Sequence, residues 1–192
     1  FHSIGFFSVF DTDIIRNADI YTGGFNAEYG GRISSVMDIT TRDGNSNEFA
    51  GKITVSPFGA KLLAEGPLKK PKKDGGSSIS YLLSTKTSYL AQTSKVLYKY
   101  VDTAGLPFNF TDIYGKLSFN GNNGSKLNFF GFNFSDSVKY QALSSLKWNS
   151  WGAGSNFVLV PTGNPVLILG DVSFSKYDIS LDDNTSANRF SK

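Results

Sequence analysis

The chain has 192 residues, no cysteine, a formal net charge of +3 and a mean hydropathy of −0.18. The lack of cysteine excludes a disulfide scaffold and thiolate metal sites, and no apolar run of 18 residues could form a transmembrane helix. Its 20 glycines, 17 phenylalanines and 9 tyrosines favour an all-β fold. The scattered basic residues do not form the basic stripe that nucleic-acid binding requires.

The first 22 residues predict a short helix and a strand. Asp11 or Thr12 could cap a helix over residues 9–17, and the carboxylate of Asp13 suits the positive end of its dipole. Residues 18–22 then predict a strand that ends at two glycines.

Residues 23–45, which read GGFNAEYGGRISSVMDITTRDGN, are the most informative stretch. Gly30 and Gly31 permit a close backbone approach that larger residues resist. Residues 33–41 are β-branched and half apolar, which predicts a strand, and residues 42–45 end that strand with turn chemistry.

The AEYGGR segment at 27–32, the strand up to Thr41 and the RDGN segment at 42–45 carry a resemblance. They resemble the end of the plug domain of TonB-dependent outer-membrane transporters, in particular the Bacteroidetes-type branch. The resemblance implies that residues 1–45 are the C-terminal part of an α+β plug domain. It also implies that residues 46–192 are the first seven or so antiparallel strands of a transmembrane β-barrel, which they leave incomplete.

From residue 49 the sequence alternates with period two, which predicts strands. The predicted strands cover residues 49–56, 60–65, 78–89, 112–120, 130–139, 148–160 and 166–181, the last with a bulge near Gly170. Several reach the 9–11 or so residues that cross a membrane as a tilted strand, which is longer than typical globular strands.

The alternation also predicts an apolar exterior and a polar lumen. Phe130, Phe132 and Phe134 are expected to contact lipid, together with Ile113, Leu117 and Phe119. Alternation alone fits a water-soluble sandwich with one wet face equally well.

The connections predict an orientation, because outer-membrane barrels have short periplasmic turns and long extracellular loops. The short turns at 69–76, 121–125 and 161–165 are expected in the periplasm. The loops at 91–109 and 137–147 are expected outside, with an unusually short outer turn at 57–59.

Transporters of this kind have about 22 strands, and open sheet edges are not tolerated in lipid. We therefore expect the 192 residues to be an internal part of a longer polypeptide. The resemblance implies active import of a nutrient: a siderophore or other small extracellular ligand, with an oligosaccharide or a peptide as further options. It implies no enzyme activity and no cofactor.

The implied partners are outer-membrane lipid and TonB, with its inner-membrane ExbB/ExbD motor, which would act through a preceding segment. A surface lipoprotein lid is less expected. Lidded importers usually continue after the arginine with Ala-Ala-Asn-Gly, whereas here Arg32 precedes Ile33-Ser34-Ser35.

Two sets of site residues follow from the resemblance. Ligand contacts are expected from the loops at 91–109 and 137–147 and from the plug residues Phe25, Asn26 and Tyr29. Charges that would pair the plug with the barrel are Glu28, Arg32, Asp38, Arg42, Lys61, Glu65 and Lys86. Ordinary solvated surface charges are the alternative for this second set.

No catalytic constellation emerges, and the single histidine, His2, gives no basis for a metal site. An alternative from another class is a secreted or surface β-rich domain that binds glycans or mediates adhesion. Such a domain would stack exposed rings, such as Trp148 and Trp151, on sugars.

Overall fold

In the computed structural model the chain divides into two compact units, a smaller one that ends at Arg42 and a larger one that continues from Asp43. The structure describes residues 11–24, 29, 34–72, 76–97, 107–140, 144–163, 165–183 and 189–191. The predicted domain boundary, after residue 45, falls three residues beyond this division.

The smaller unit contains two paired antiparallel strands. Strand β1 (Ile15–Tyr21) pairs with β2 (Val36–Thr41), with Tyr21 opposite Val36 and Ala18 opposite Ile39. These are the strands predicted at 18–22 and 33–41, as far as the described residues reach.

The helix predicted over residues 9–17 is wrong across its described part. The Asp11 carboxylate accepts a hydrogen bond from the Asp13 N–H at 2.8 Å, and the Ile14 N–H donates to the Asp11 carbonyl at 3.1 Å. A capping residue at Asp11 would start a helix, but here the same side chain closes a turn, and β1 begins directly after it.

The larger unit contains an antiparallel sheet with the order β10-β9-β8-β7-β6-β5-β4-β3. Its strands are β3 (Ala50–Val55), β4 (Gly59–Lys69), β5 (Ser78–Ser88), β6 (Phe108–Asn120), β7 (Lys126–Tyr140), β8 (Ser144–Leu159), β9 (Ile168–Asp183) and β10 (Arg189–Ser191). The prediction of an all-β, antiparallel fold is confirmed. Within the described ranges, β3 and β10 are the two edges of the sheet and do not pair with each other.

Helix α1 (Leu90–Leu97), which follows β5, was not predicted. The Ser88 hydroxyl accepts a hydrogen bond from the Leu90 N–H at 3.2 Å and so caps its first turn. The Thr93 hydroxyl donates to the Pro57 carbonyl at 2.7 Å, which ties the helix to the short turn between β3 and β4. We call this end of the sheet the loop end, and the end that carries residues 121–125 the turn end.

Two further predictions about the strands are wrong. Residues 137–147 are not a long loop, because β7 continues to Tyr140 and β8 begins at Ser144, directly opposite it. This segment contains no glycine or proline that would interrupt the ladder. Strand β9 has no bulge at Gly170, since it pairs with β8 without a register shift.

The register assigns every side chain of the sheet to one of two faces, because residues directly opposite each other point the same way. The inner face is the one that bears Glu65, Lys116 and Asn128. The outer face is the one that bears Leu83, Leu117 and Phe129.

The phenylalanines of β7 lie on the inner face, which corrects the prediction that they share a face with Ile113 and Leu117. Phe130 is opposite Lys116, Phe132 is opposite Tyr114, and Phe134 is opposite Asp112. Alternation predicts which residues of one strand share a face, but only the hairpin register relates one strand to the next.

Candidate functional site

The polarity of strand β6 is inverted relative to a sheet that folds in water. Asp112 and Lys116 are only 5 % and 6 % exposed, whereas their neighbours Ile113 and Leu117 are 50 % and 38 % exposed. A half-buried sheet in water hides its apolar face and exposes its polar face. Charged side chains are rarely this buried beside exposed apolar ones.

Neighbouring strands repeat this inversion towards the turn end. The buried polar side chains of the inner face include Glu65, Ser78, Ser80, Ser84, Ser118 and Asn128. The exposed apolar side chains of the outer face include Ile53, Val55, Leu62, Leu83, Phe129, Val172 and Phe174. Exposed apolar surface that continues across seven strands marks a surface that contacts something other than water.

Residues 43–45 cross the inner face and are held there by charge. The Asp43 carboxylate lies 2.9 Å from the Lys116 ammonium and 3.0 Å from the Lys126 ammonium, and it accepts a hydrogen bond from the Ser118 hydroxyl at 3.1 Å. We call Asp43, Lys116, Ser118 and Lys126 the Asp43 clamp. Two cations and a hydroxyl donor therefore satisfy one carboxylate.

Gly44 and Asn45 also contact the strands of the sheet closely. Gly44 is buried against the backbone of β5, so that a Cβ atom added to it would lie 2.0 Å from the Tyr81 carbonyl oxygen. The Asn45 N–H donates to the Glu65 carboxylate at 2.9 Å. The segment thus contacts the four consecutive strands β4 to β7.

The clamp lowers the pKa of Asp43. Burial alone would raise this pKa, but the hydrogen bonds and charges of Lys116 and Lys126 outweigh burial and lower it from 3.8 to about 2. The carboxylate therefore stays ionised in the folded protein at all but strongly acidic pH.

We expect Asp43 ionisation to stabilise the fold by about 2 kcal/mol above pH 3.8, because the folded state binds its proton less tightly than the unfolded state does. This stabilisation should decrease as the pH falls from 3.8 towards 2. Urea unfolding at a series of pH values measures it, and Asp43→Asn should remove that part of the pH dependence.

The matched control is Asp178→Asn, which removes an exposed carboxylate that lies 3.1 Å from Lys176. Exposed pairs of this kind contribute at most about 1 kcal/mol. An Asp43→Asn variant whose stability decreases between pH 4 and pH 2 as steeply as that of the unmodified protein would contradict the role of the clamp.

Among the residues predicted from the resemblance, Phe25, Asn26, Glu28 and Arg32 lie outside the described residues. Tyr29 donates a hydrogen bond to Asp38 at 3.2 Å, and its ring lies 5.4 Å from that of Tyr21. The structure thus brings one predicted ligand residue and one predicted pairing charge together within the smaller unit.

The other predicted charges have partners close to their own strands. Arg42 donates to the Asp13 carbonyl at 2.6 Å. Lys86 lies directly opposite Lys61, 3.6 Å from the Asp112 carboxylate and 5.1 Å from the centre of the Phe110 ring. Pairing of these charges between plug and barrel stays a prediction.

Sequence reasoning missed the clamp itself. Residues 42–45 carry the signal of a turn, and Lys116 and Lys126 appear as two ordinary positions of alternating strands. Asp43 is 75 residues from Ser118 and 83 from Lys126, so only the register of the folded sheet brings these groups together.

The tryptophans do not form the exposed pair that a glycan-binding domain would use. Trp148 is 7 % exposed on the inner face, and Trp151 lies on the outer face with its ring 5.4 Å from that of Phe174. Near the loop end, a depression of about 430 Å³ is lined by Ser135, Lys147, Trp148, Asn149, Asp178, Ile179 and Ser180.

Across the described parts of the chain, no three or more His, Asp or Glu side chains group as metal ligands would. None of the helical residues described forms a helix long and apolar enough to cross a membrane. Comparison of the chain with protein-family models, curated proteins and solved structures found no significant match.

Proposed function

We propose that the sheet from β3 to β10 is part of the wall of a transmembrane β-barrel, with its outer face in lipid. The observation that carries this proposal is the inversion on β6, where Lys116 is buried and Leu117 is exposed. Outer-membrane barrels alternate in this way, with apolar side chains towards lipid and polar side chains towards the lumen.

Strand length and the sheet edges support the same proposal. Strands β4 to β9 have 11 to 16 residues, enough to cross a bilayer at a tilt. Within the described ranges β3 and β10 are the edges of the sheet, and in lipid the backbone groups at such edges need partner strands.

Within this class, we propose a TonB-dependent transporter that imports a nutrient across the bacterial outer membrane and has no catalytic activity. The support is the resemblance of residues 27–45 to the end of a plug domain, directly before the inverted sheet begins. The ligand proposed is a siderophore or another small molecule, with an oligosaccharide or a peptide as further options. TonB and its motor would supply the energy.

Fractionation of the cells that make the protein, followed by uptake assays, tests this proposal directly. We expect the protein in the outer-membrane fraction, with different electrophoretic migration before and after boiling. Deletion of its gene should abolish uptake of one member of a panel of iron-loaded siderophores, oligosaccharides and short peptides. A protonophore should reduce wild-type uptake to the same level, because TonB draws on the proton gradient.

Complementation with the unmodified gene is the control for the deletion. A protein found in the soluble fraction would contradict the membrane proposal. An outer-membrane location with uptake that neither the deletion nor the protonophore changes would contradict the transporter proposal alone.

A further inference from the structure

The outer face of the sheet changes character along the strands. At the turn end, the row of directly opposed outer residues on β5 to β9 contains Tyr81, Leu117, Phe129, Ser155 and Val172, with Ser155 as its one small polar member. Three rows nearer the loop end, the corresponding row on β5 to β9 contains Thr87, Thr111, Ser135, Asn149 and Asp178. The outer face is therefore apolar at one end and polar at the other.

The inner face becomes partly apolar at about the same level. Its turn-end half carries buried polar residues such as Ser118 and Asn128. Its loop-end half carries the buried apolar side chains Phe110, Val138 and Trp148, mixed with the buried polar residues Ser88 and Asp136. The polarity of the inner face is therefore mixed at the loop end, and the clear change along the strands is that of the outer face.

A single solvent does not account for both halves of the outer face. In water a sheet keeps apolar side chains inside, whereas in lipid the outward side chains are the apolar ones. A change of the outward side chains from apolar to polar along the same strands is what a sheet shows when it passes from lipid into water.

The boundary between the halves is oblique to the rows. One row runs through direct pairs from Val55 on β3 to Asp178 on β9, and it is apolar at the first and charged at the second. Counted from the turn end, the apolar outer residues end at Val55 on β3 and at Phe174 on β9, and Phe174 lies two rows closer to the turn end than Val55 does. Two rows are roughly 14 Å along the strands, and the six strand spacings from β3 to β9 are roughly 29 Å. The line that joins the two residues is therefore inclined to the rows by roughly 25°.

A flat membrane surface crosses the rows obliquely, because barrel strands are inclined to the barrel axis by roughly 35–45°. The slope between Val55 and Phe174 is smaller than this inclination but is oblique in the way that a tilted sheet requires.

We propose that the headgroup layer of the bilayer meets the outer face between Trp151 and Asn149 on β8, beyond Val55 on β3 and beyond Phe174 on β9. Past this boundary, β6 to β9 continue into water as an extramembrane wall. The wall carries the depression lined by Ser135, Lys147 and Asn149. This inference rests on the proposed membrane location. It adds how far each strand extends through the bilayer and that the strands are tilted in it.

The chain has no cysteine, so single cysteines can report their surroundings without background. The variants are Ser155→Cys, Ala153→Cys, Asn149→Cys and Lys147→Cys on the outer face of β8, and Val55→Cys and Asp178→Cys in the oblique row. Each carries a nitroxide label in the full protein, reconstituted in phosphatidylethanolamine–phosphatidylglycerol vesicles. Collisions with lipid-soluble oxygen and with a water-soluble nickel complex are then compared.

We expect labels at 153 and 155 to prefer oxygen and labels at 147 and 149 to prefer the nickel complex. The sharper expectation concerns the oblique row, in which the label at 55 prefers oxygen and the label at 178 prefers nickel. A label at 147 that prefers oxygen, or labels at 55 and 178 with the same preference, would overturn the inference.

The two proposals fail in different ways. If labels at 153 and 155 both prefer nickel, the outer face is wet and the membrane proposal fails with the inference. If those two prefer oxygen but the label at 147 does as well, only the inferred boundary fails. Ser155 and Ala153 are small, exposed or half-exposed positions, so their variants are expected to fold.

Discussion

Replacement of Leu117 by arginine is expected to destabilise the protein in a lipid bilayer by about 2–4 kcal/mol. Leu117 is exposed on the outer face of β6, with Tyr81 and Phe129 directly opposite it on the two neighbouring strands. In the proposed barrel, an arginine there would place its charge in hydrocarbon. Urea unfolding of the protein reconstituted in vesicles measures the loss.

The matched control is Ser135→Arg, which adds the same charge to the outer face of β7 beyond the inferred boundary. That substitution is expected to cost at most about 1 kcal/mol. In a water-soluble sheet, both substitutions would replace exposed residues and cost about 0.5 kcal/mol or less. Equal, small effects of the two variants would therefore contradict a lipid-facing outer surface.

The second large effect is expected from Gly44→Ala. The added methyl group would lie 2.0 Å from the Tyr81 carbonyl oxygen and 2.6 Å from its carbon, and both atoms belong to the backbone of a paired strand. Because neither atom can move aside cheaply, residues 43–45 would have to lift from the sheet. The buried Lys116 would then lose the Asp43 carboxylate, and a buried charge left without its partner costs about 3–5 kcal/mol.

Gly131→Ala provides the control, since a Cβ atom there would lie no closer than 3.6 Å to a neighbouring atom. This variant should be close to neutral in unfolding experiments. The Gly44→Ala protein should also lose the stability change between pH 4 and pH 2, because Asp43 would no longer lie against its two lysines. Comparable stabilities of the two variants would show that the segment does not need this close approach.

The sequence predicted strands well where local chemistry decides them. Residues 78–89 and 112–120 alternate strictly, and β5 and β6 occupy nearly the same positions. The helix expected over residues 9–17 failed because Asp11 can cap a helix or close a turn with the same atoms, and β1 pairs from Ile15 onward. A cap is a local signal, and strand pairing overrode it.

The relation between strands could not be predicted from alternation. Phe130, Phe132 and Phe134 are the most apolar run of β7, yet they lie beside Lys116 and Asp112. The strand on their other side explains how they fit, because Gly152 and Gly154 leave room for the rings of Phe132 and Phe130. The alternation of β7 assigned these rings to lipid, whereas the register places them on the inner face of the sheet.

The Asp43 clamp has a mechanical consequence. Arg42 is tied to the Asp13 and Ile14 carbonyls, whereas the next residue, Asp43, is tied to Lys116 and Lys126. A tensile load applied to the chain before Arg42 would reach the sheet through the peptide bond between Arg42 and Asp43, because no residue lies between these two anchored positions. The two-stranded pair β1–β2 is the weaker element under such a load. Extension would therefore come from residues before 42 and would stop at Asp43, leaving the sheet intact.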